Sequence, residues 1–362
     1  MAPPNIRPLP EHLQEVAIKE LNERPERLAE DLEALKDWAI KEPHLNVRLD
    51  DQLLVAFLRG CKFSLEKAKS KLDWFYTLKT RHPDYYTIQN PDVPHFSELV
   101  RYGAGLILPI PLNETGPRIV FSRFGIYPVD KYELKDIAPI AYAQQELAMR
   151  ADDTVVVNGF INLIDVAKVD AAHFVQYTPT ILKKGIDFAE KALPLRQSSA
   201  HFFNVPTGFE KPYNMVMPMI TPKQKERVFL HGNNLETLYA HIPQKYMPKQ
   251  YGGENGCLVE LENSTIKQFL DHRDYFKEDL KYRNNEHLRL GKQPNYKSLF
   301  DDSVRSYPAN EGASFFGGDT GNEFYGRPTL RPYHERGFPS IKYTIHFNFY
   351  FIYIKHIMCV CM

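Results

Sequence analysis

From residue 10 to about 82, apolar positions recur at steps of three and four, the period of helices that bury one face. "EHLQEVAIKELNE" predicts a helix that stops ahead of Pro25, and "ERLAEDLEALKDWAIKE" aligns Leu28, Leu32, Leu35 and Ala39. The block "DDQLLVAFLRGCKFSLEKAKSKLDWFYTLKTRHP" predicts two more helices. Asp50 or Asp51 opens the first, Gly60 closes it, and Ser64 caps the second, whose buried stripe is Leu65, Ala68, Leu72, Phe75 and Tyr76. Residues 10–90 therefore read as a small all-helical domain.

Near residue 100 the pattern changes to short β-like runs. "AGLILPIPL" and "PRIVFSRFG", joined by the turn-rich "NETG", predict a hairpin, and a helix is expected over 134–150. "TVVVNGFINLIDV" is almost unbroken apolar sequence and reads as a buried strand. "DAAHFVQYTPTILKKGIDFAEKAL" then predicts a helix and "SSAHFFNVP" another strand. Strand, helix and strand in succession make a crossover unit, so the fold class is α/β with a mixed, partly parallel sheet over 91–262. In "PTGFEKPYNMVMPMITPKQ" a short, Pro-bounded helix carries Phe209, Tyr213, Val216, Met217 and Ile220 on one apolar stripe. "TPKQKERVFLHGNN" opens with a capping box (Thr221, Pro222, Gln224) and reaches Gly232, which predicts a helix over about 222–231 with Lys223 and Arg227 on one face. A charged helix returns over 264–290 within a C-terminal extension, 263–304.

The segment 305–362 is different in kind. Gly- and Pro-rich "SYPANEGASFFGGDTGNEFYGRPTLRP" reads as disordered. The aromatic end, "IKYTIHFNFYFIYIKHIMCVCM", is too short between Lys342 and Lys355 to span a bilayer. It reads equally as sequence foreign to the working protein, and no function is assigned to it.

Composition narrows the chemistry. The 362 residues carry 45 basic and 45 acidic side chains, so any anion site must be local, and a general nucleic-acid binder is excluded. Cys61, Cys257, Cys359 and Cys361 show neither disulfide-framework nor metal-ligand spacing, and the N-terminus lacks a signal-peptide run. These features point to a cytoplasmic protein with no metal and no cofactor. There is no G-x-S-x-G, H-E-x-x-H or G-x-x-x-x-G-K-[ST] motif. Asp165, His173 and His201 are expected in a strand-end turn and in packing rather than in catalysis, so an enzyme is not expected.

Several segments together resemble one family. "LLVAFLRGCKFSLEKAKSKL", "INLIDV", "AHFVQYTPTILKK", "PLRQSSAHFFNVP", "KQKERVFLHGNN" and "MPKQYGGENG" resemble, in order, the CRAL-TRIO lipid-transfer family. The nearest group is that of alpha-tocopherol transfer protein and cellular retinaldehyde-binding protein, in its insect-type branch. The resemblance implies an α/β/α lipid-binding domain behind the helical one, working as a monomer. It places Phe160, Ile164, Val169, Phe188, Leu195 and Ala200 at lipid-pocket positions, though each taken singly also reads as core. It makes the 209–220 stripe a mobile lid, and Arg196, Lys223 and Arg227 phosphoinositide-binding residues, with Ser198 at a further position that is basic in the family. Val169, Gly185 and Glu146 depart from the tocopherol-binding pattern and are expected to reshape the cavity. The expected function is binding and transfer of a small hydrophobic lipid, with the lid opening at phosphoinositide-containing membranes. The alternative is a scaffold that binds membranes or proteins without transferring cargo.

Overall fold

The computed structural model describes residues 4–170, 172–173, 176, 179–205 and 221–290. The helices expected at the N-terminus form where the apolar spacing puts them. They are α1 (Glu11–Leu21), α2 (Leu28–Lys41), α3 (Asp51–Gly60) and α4 (Leu65–Arg81). The Asp50 carboxylate accepts from the Leu53 N–H at 2.8 Å, the expected cap of α3, whereas the Ser64 hydroxyl makes no capping bond to α4. Leu53 through Arg59 are all buried, so α3 is the central helix of its group. The short helices α5 (Pro83–Tyr86) and α6 (Phe96–Gly103) lead into the sheet.

Five strands lie side by side in chain order: β1 (Leu106–Ile107), β2 (Arg118–Arg123), β3 (Phe160–Asp165), β4 (Gln197–Phe203) and β5 (Val228–Leu230). The β1–β2 pair is antiparallel, as the hairpin pattern predicted, and every other pair is parallel. One face of the sheet presents Ile119, Phe121, Ile161, Leu163 and Phe203 to Leu238, Ile242, Tyr246, Met247 and Leu258. The other face presents Val120 and Phe160 to α7 (Leu134–Ala151) and to the helical domain, in one continuous core. Gly60 marks the join. A Cβ there would stand 1.8 Å from the Pro194 carbonyl oxygen, so the end of α3 rests directly on the backbone before β4. Gly60→Ala is therefore expected to lower stability by about 1–3 kcal/mol, the usual range for overpacking, in a urea titration. A neutral result would mean that the two domains separate there at no cost.

Three expectations are corrected. Thr154–Asn158 is not strand but part of helix α8 (Asp153–Asn158). Asp152 caps it by accepting from the Val155 N–H at 3.1 Å, and Gly159 ends it at φ +78°, where a Cβ would meet the Arg196 carbonyl. A continuous apolar run has no period, so a buried helix followed by a buried strand looks like one strand. The helix expected over 222–231 is a single turn, α10 (Pro222–Lys225). Its capping box forms as expected, but Val228–Leu230 leave the helix to pair with Ala200–Phe202, because β-branched and aromatic residues suit the sheet edge. The charged helix near 264–290 begins earlier and breaks once, into α12 (Leu258–Asp271) and α13 (Arg273–Asp279), so α12 runs across the boundary expected at 262/263. Between these elements lie α9 (Pro179–Asp187), a π-helical turn (Phe188–Ala192) and α11 (Glu236–Tyr239).

Candidate functional site

A cavity of about 90 Å³ lies between β1–β3 and α7. Its walls include Ile107, Val120, Phe121, Val155, Phe160 and Leu195, and Ala141 and Ala148 leave room on the helix side. The sheet generates this wall by alternation. Parallel register sets Val120, Asn162 and Ala200 in line, so Phe160, Asn162 and Ile164 share the face that looks toward α7. Polar groups enter at three places: Gln144 and Gln145 on the helix, Ser122 and Asn162 on the sheet, and Arg101, Arg123 and Glu262 at the rim. Pockets that enclose a whole lipid-sized ligand are usually about 300–1,000 Å³. The described walls thus hold only part of such a molecule.

Of the six expected pocket residues, Phe160 and Leu195 line this cavity. Ile164 and Ala200 are fully buried on the same sheet face but are not among its lining residues. Val169 sits half-buried in the turn after β3. Phe188 turns away into an aromatic cluster, stacked on Tyr86 at 5.2 Å and edge-on to Tyr142 at 4.6 Å, because the π-helical turn aims it at the helical domain. Glu146 does not shape the cavity either. It points to the opposite side of α7, where Lys79 holds it at 2.8 Å. The lid residues Phe209, Tyr213, Val216, Met217 and Ile220 lie outside the described residues.

The expected cations gather at the end of the sheet where β4 and β5 begin. Arg227 is exposed and donates to the carbonyl of Gln197, the residue after Arg196, at 3.0 Å. Arg196 is half-buried, donates to the Val157 carbonyl, and has its pKa lowered by burial. Lys223 is exposed on α10, while Ser198 is exposed without charge. With the helix ended at Lys225 and β5 formed, Lys223 and Arg227 no longer share a helix face.

The structure adds a basic groove that the sequence reading missed. Lys62, Lys67, Lys71 and Lys191 line it, together with Trp74 and Glu190. Gln224 of α10 donates to Glu190 at 2.6 Å, so the groove adjoins the expected cations. Lys71 donates to the Glu190 and Leu193 carbonyls at 2.8 and 2.7 Å, and burial lowers its pKa. Lys62 and Lys67 are exposed and form no ion pair among the described residues. Lys62, Lys67 and Lys71 come from one segment, "GCKFSLEKAKSK", and Lys191 joins them from about 120 positions further on, which local sequence does not signal.

The groups that could suggest catalysis are occupied structurally. Asp165 accepts from the Ala167 N–H at 2.9 Å, from Asn204 at 3.0 Å and from the Tyr251 hydroxyl, which fixes the turn after β3. His173 bonds the Tyr127 carbonyl at 3.0 Å and Asp170 at 2.7 Å. His201 Nδ1 lies 2.9 Å from His231 Nε2, and the two outer ring nitrogens meet Ser199 at 2.9 Å and Thr237 at 3.0 Å. Among the described residues no cluster of three metal-ligating side chains occurs, and no helix is long and apolar enough to cross a membrane.

Comparison with known proteins agrees with this architecture. Residues 111–253 match the CRAL/TRIO domain, and residues 24–96 match a Pinta-like UBA domain. The human alpha-tocopherol transfer protein-like protein is 29% identical over 274 residues, covering 72% of this chain and 78% of the relative. Rat clavesin-2 is 29% identical over 247 residues, covering 67% and 74%. Residues 111–253 are thus matched to a CRAL/TRIO domain, and the similarity to these relatives extends beyond it. Among solved structures, Sfh5 aligns with 70% of this chain and 92% of its own at 15% identity and a TM-score of 0.40, too loose a likeness to carry an argument.

Proposed function

We propose that this protein binds a small hydrophobic lipid and transfers it between membranes, releasing or loading it where phosphoinositides are displayed. It would act as a monomer in the cytoplasm, attach to membranes transiently, and catalyse no reaction. The observation that carries this reading is a single juxtaposition. An apolar cavity lies on one face of the sheet, and exposed cations stand at the end of β4 and β5, the strands that flank the segment expected to be the lid. The resemblance to a protein named for tocopherol transfer supports it.

Energetics favour such an arrangement. Burying several hundred Å² of apolar ligand away from water is worth on the order of 10 kcal/mol, at about 25 cal/mol per Å². A lipid already in a bilayer gains none of this, so the barrier is exposure to water during exit. Phosphates held at Arg196, Lys223 and Arg227, with the lysine groove adding long-range attraction, would keep the opening against the membrane. The double variant Lys223→Ala, Arg227→Ala is expected to keep cargo affinity within about twofold while slowing transfer to phosphoinositide vesicles at least tenfold, a loss of about 1.4 kcal/mol. Unchanged transfer would remove these residues from the mechanism. The small volume of the described cavity favours the second reading, a membrane-bound scaffold without cargo. Mass spectrometry of lipids extracted from the purified protein separates the two.

A further inference from the structure

We propose that the cavity selects a neutral lipid bearing a hydroxyl group, and that the Gln145 amide holds that hydroxyl. The inference rests on the lipid-binding reading above and narrows its cargo. Ala141, Gln144, Gln145 and Ala148 fall at helical spacing on α7 and all line the cavity. The two alanines open space, and the two amides are the polar groups that this stripe brings to it. They are not equivalent. Gln144 is committed, because its amide N–H donates to the Gly105 carbonyl. The side-chain oxygen of Gln145 is shielded from solvent and has no hydrogen-bond partner among the described residues.

A buried polar atom left without a partner is costly, and where its residue also lines a cavity, as Gln145 does, a ligand can complete it. A hydroxyl suits this position better than any other simple head group. Exchanging the oxygen and nitrogen of the amide turns an acceptor into a donor, and a hydroxyl satisfies either arrangement because it both gives and accepts. An ester or ketone carbonyl satisfies only one of them, and a hydrocarbon neither. A carboxylate meets a different obstacle. At the Gln145 amide an ionised carboxylate would give up its water without meeting a cation, because the nearby arginines, Arg123 and Arg101, already face Glu262. On the opposite wall Val120, Phe160 and Leu195 accept hydrocarbon, beside the polar side chains of Asn162 and Ser122.

The test uses the full chain and vesicles doped with equal amounts of octadecanol, octadecyl acetate and octadecanoic acid, and in parallel with cholesterol and cholesteryl acetate. The protein is re-isolated and its bound lipid identified by mass spectrometry. Wild type is expected to take the alcohols over the matching esters and acid by about tenfold. Gln145→Leu and, as a smaller cut, Gln145→Ala should erase that preference while still loading lipid, which also shows that they fold. Preference for ester or acid would overturn the assignment, and so would an alcohol preference that survives both substitutions, as it would if a water satisfied Gln145. Failure of wild type to load any of these lipids would instead count against the lipid-binding reading itself, and this inference would fall with it.

Discussion

Replacing Lys79 with methionine is expected to lower folding stability by about 3–5 kcal/mol, the usual consequence of stranding buried charge. Lys79 is 1% exposed on α4, with its ammonium 2.8 Å from Glu146 on α7 and 2.6 Å from Asp279 on α13. One cation thus faces two carboxylates, and helpers complete the set. The Tyr275 hydroxyl donates to Glu146, and the Arg48 guanidinium lies 4.0 Å over the Tyr275 ring while pairing with Glu278 at 2.7 Å. Burial pushes the Glu146 carboxyl upward, but the Lys79 charge and its hydrogen bonds bring it below the ordinary value. Burial raises Asp279, the Glu146 charge adds to that, and Lys79 offsets only part of it. Without the ammonium both carboxyls are driven upward, and the three helices lose their common tie. The triple variant Lys79→Met, Glu146→Gln, Asp279→Asn should recover most of the loss in urea titrations. A cost under about 1 kcal/mol for Lys79→Met alone would mean that water reaches the cluster and screens it.

That cluster also shows where the sequence stopped being informative. The helices of the first domain were legible because amphipathic spacing is local, and β3 and β4 because a crossover needs only a strand, a helix and a strand in order. Glu146 was not, because what decides its direction is a lysine 67 positions earlier and an aspartate at 279. The edge strand β5 was misread for a related reason. The Thr221–Gln224 capping box is real, but whether the helix continues past Lys225 is decided by β4, a non-local partner that local signals cannot weigh. The cations divide the same way. Arg196 and Arg227 could be named because the family resemblance marks them, whereas the groove of Lys62, Lys67, Lys71 and Lys191 exists only once α4 rests against the π-helical turn. Gln145 had no signal at all, since a glutamine on a helix is ordinary until the wall behind it proves to be hollow.

Lowering the pH from 6.5 toward 4.5 is expected to weaken the fold steeply, with the two paired histidines as the principal cause. In the row Ser199, His201, His231, Thr237 each neutral ring uses one nitrogen to donate and the other to accept, so protonating both rings would set two N–H groups against each other. Burial, then the neighbouring rings of His231 and His241, pull His201 down to about 3; burial and His241 pull His231 to about 4. An unfolded chain takes up these protons near pH 6.5, whereas the folded one refuses them until far lower. Stability is therefore complete above that point and falls as acid is added, until the folded rings themselves titrate. A fully buried ring contributes about 1.4 kcal/mol per pH unit; allowing for the partial solvation of both rings, the pair should contribute about 2 kcal/mol per unit. Urea midpoints between pH 6.5 and 5, above the range where most carboxylates protonate, report this contribution together with that of His82, which burial and then the charges of Lys184 and Arg81 also pull down to about 4. Stepwise His231→Gln and His201→Gln substitution should flatten the slope while lowering stability at pH 7, where the row is intact. A slope that persists in both variants would move the cause to other groups, and a flat wild-type profile would mean that solvent reaches these rings freely.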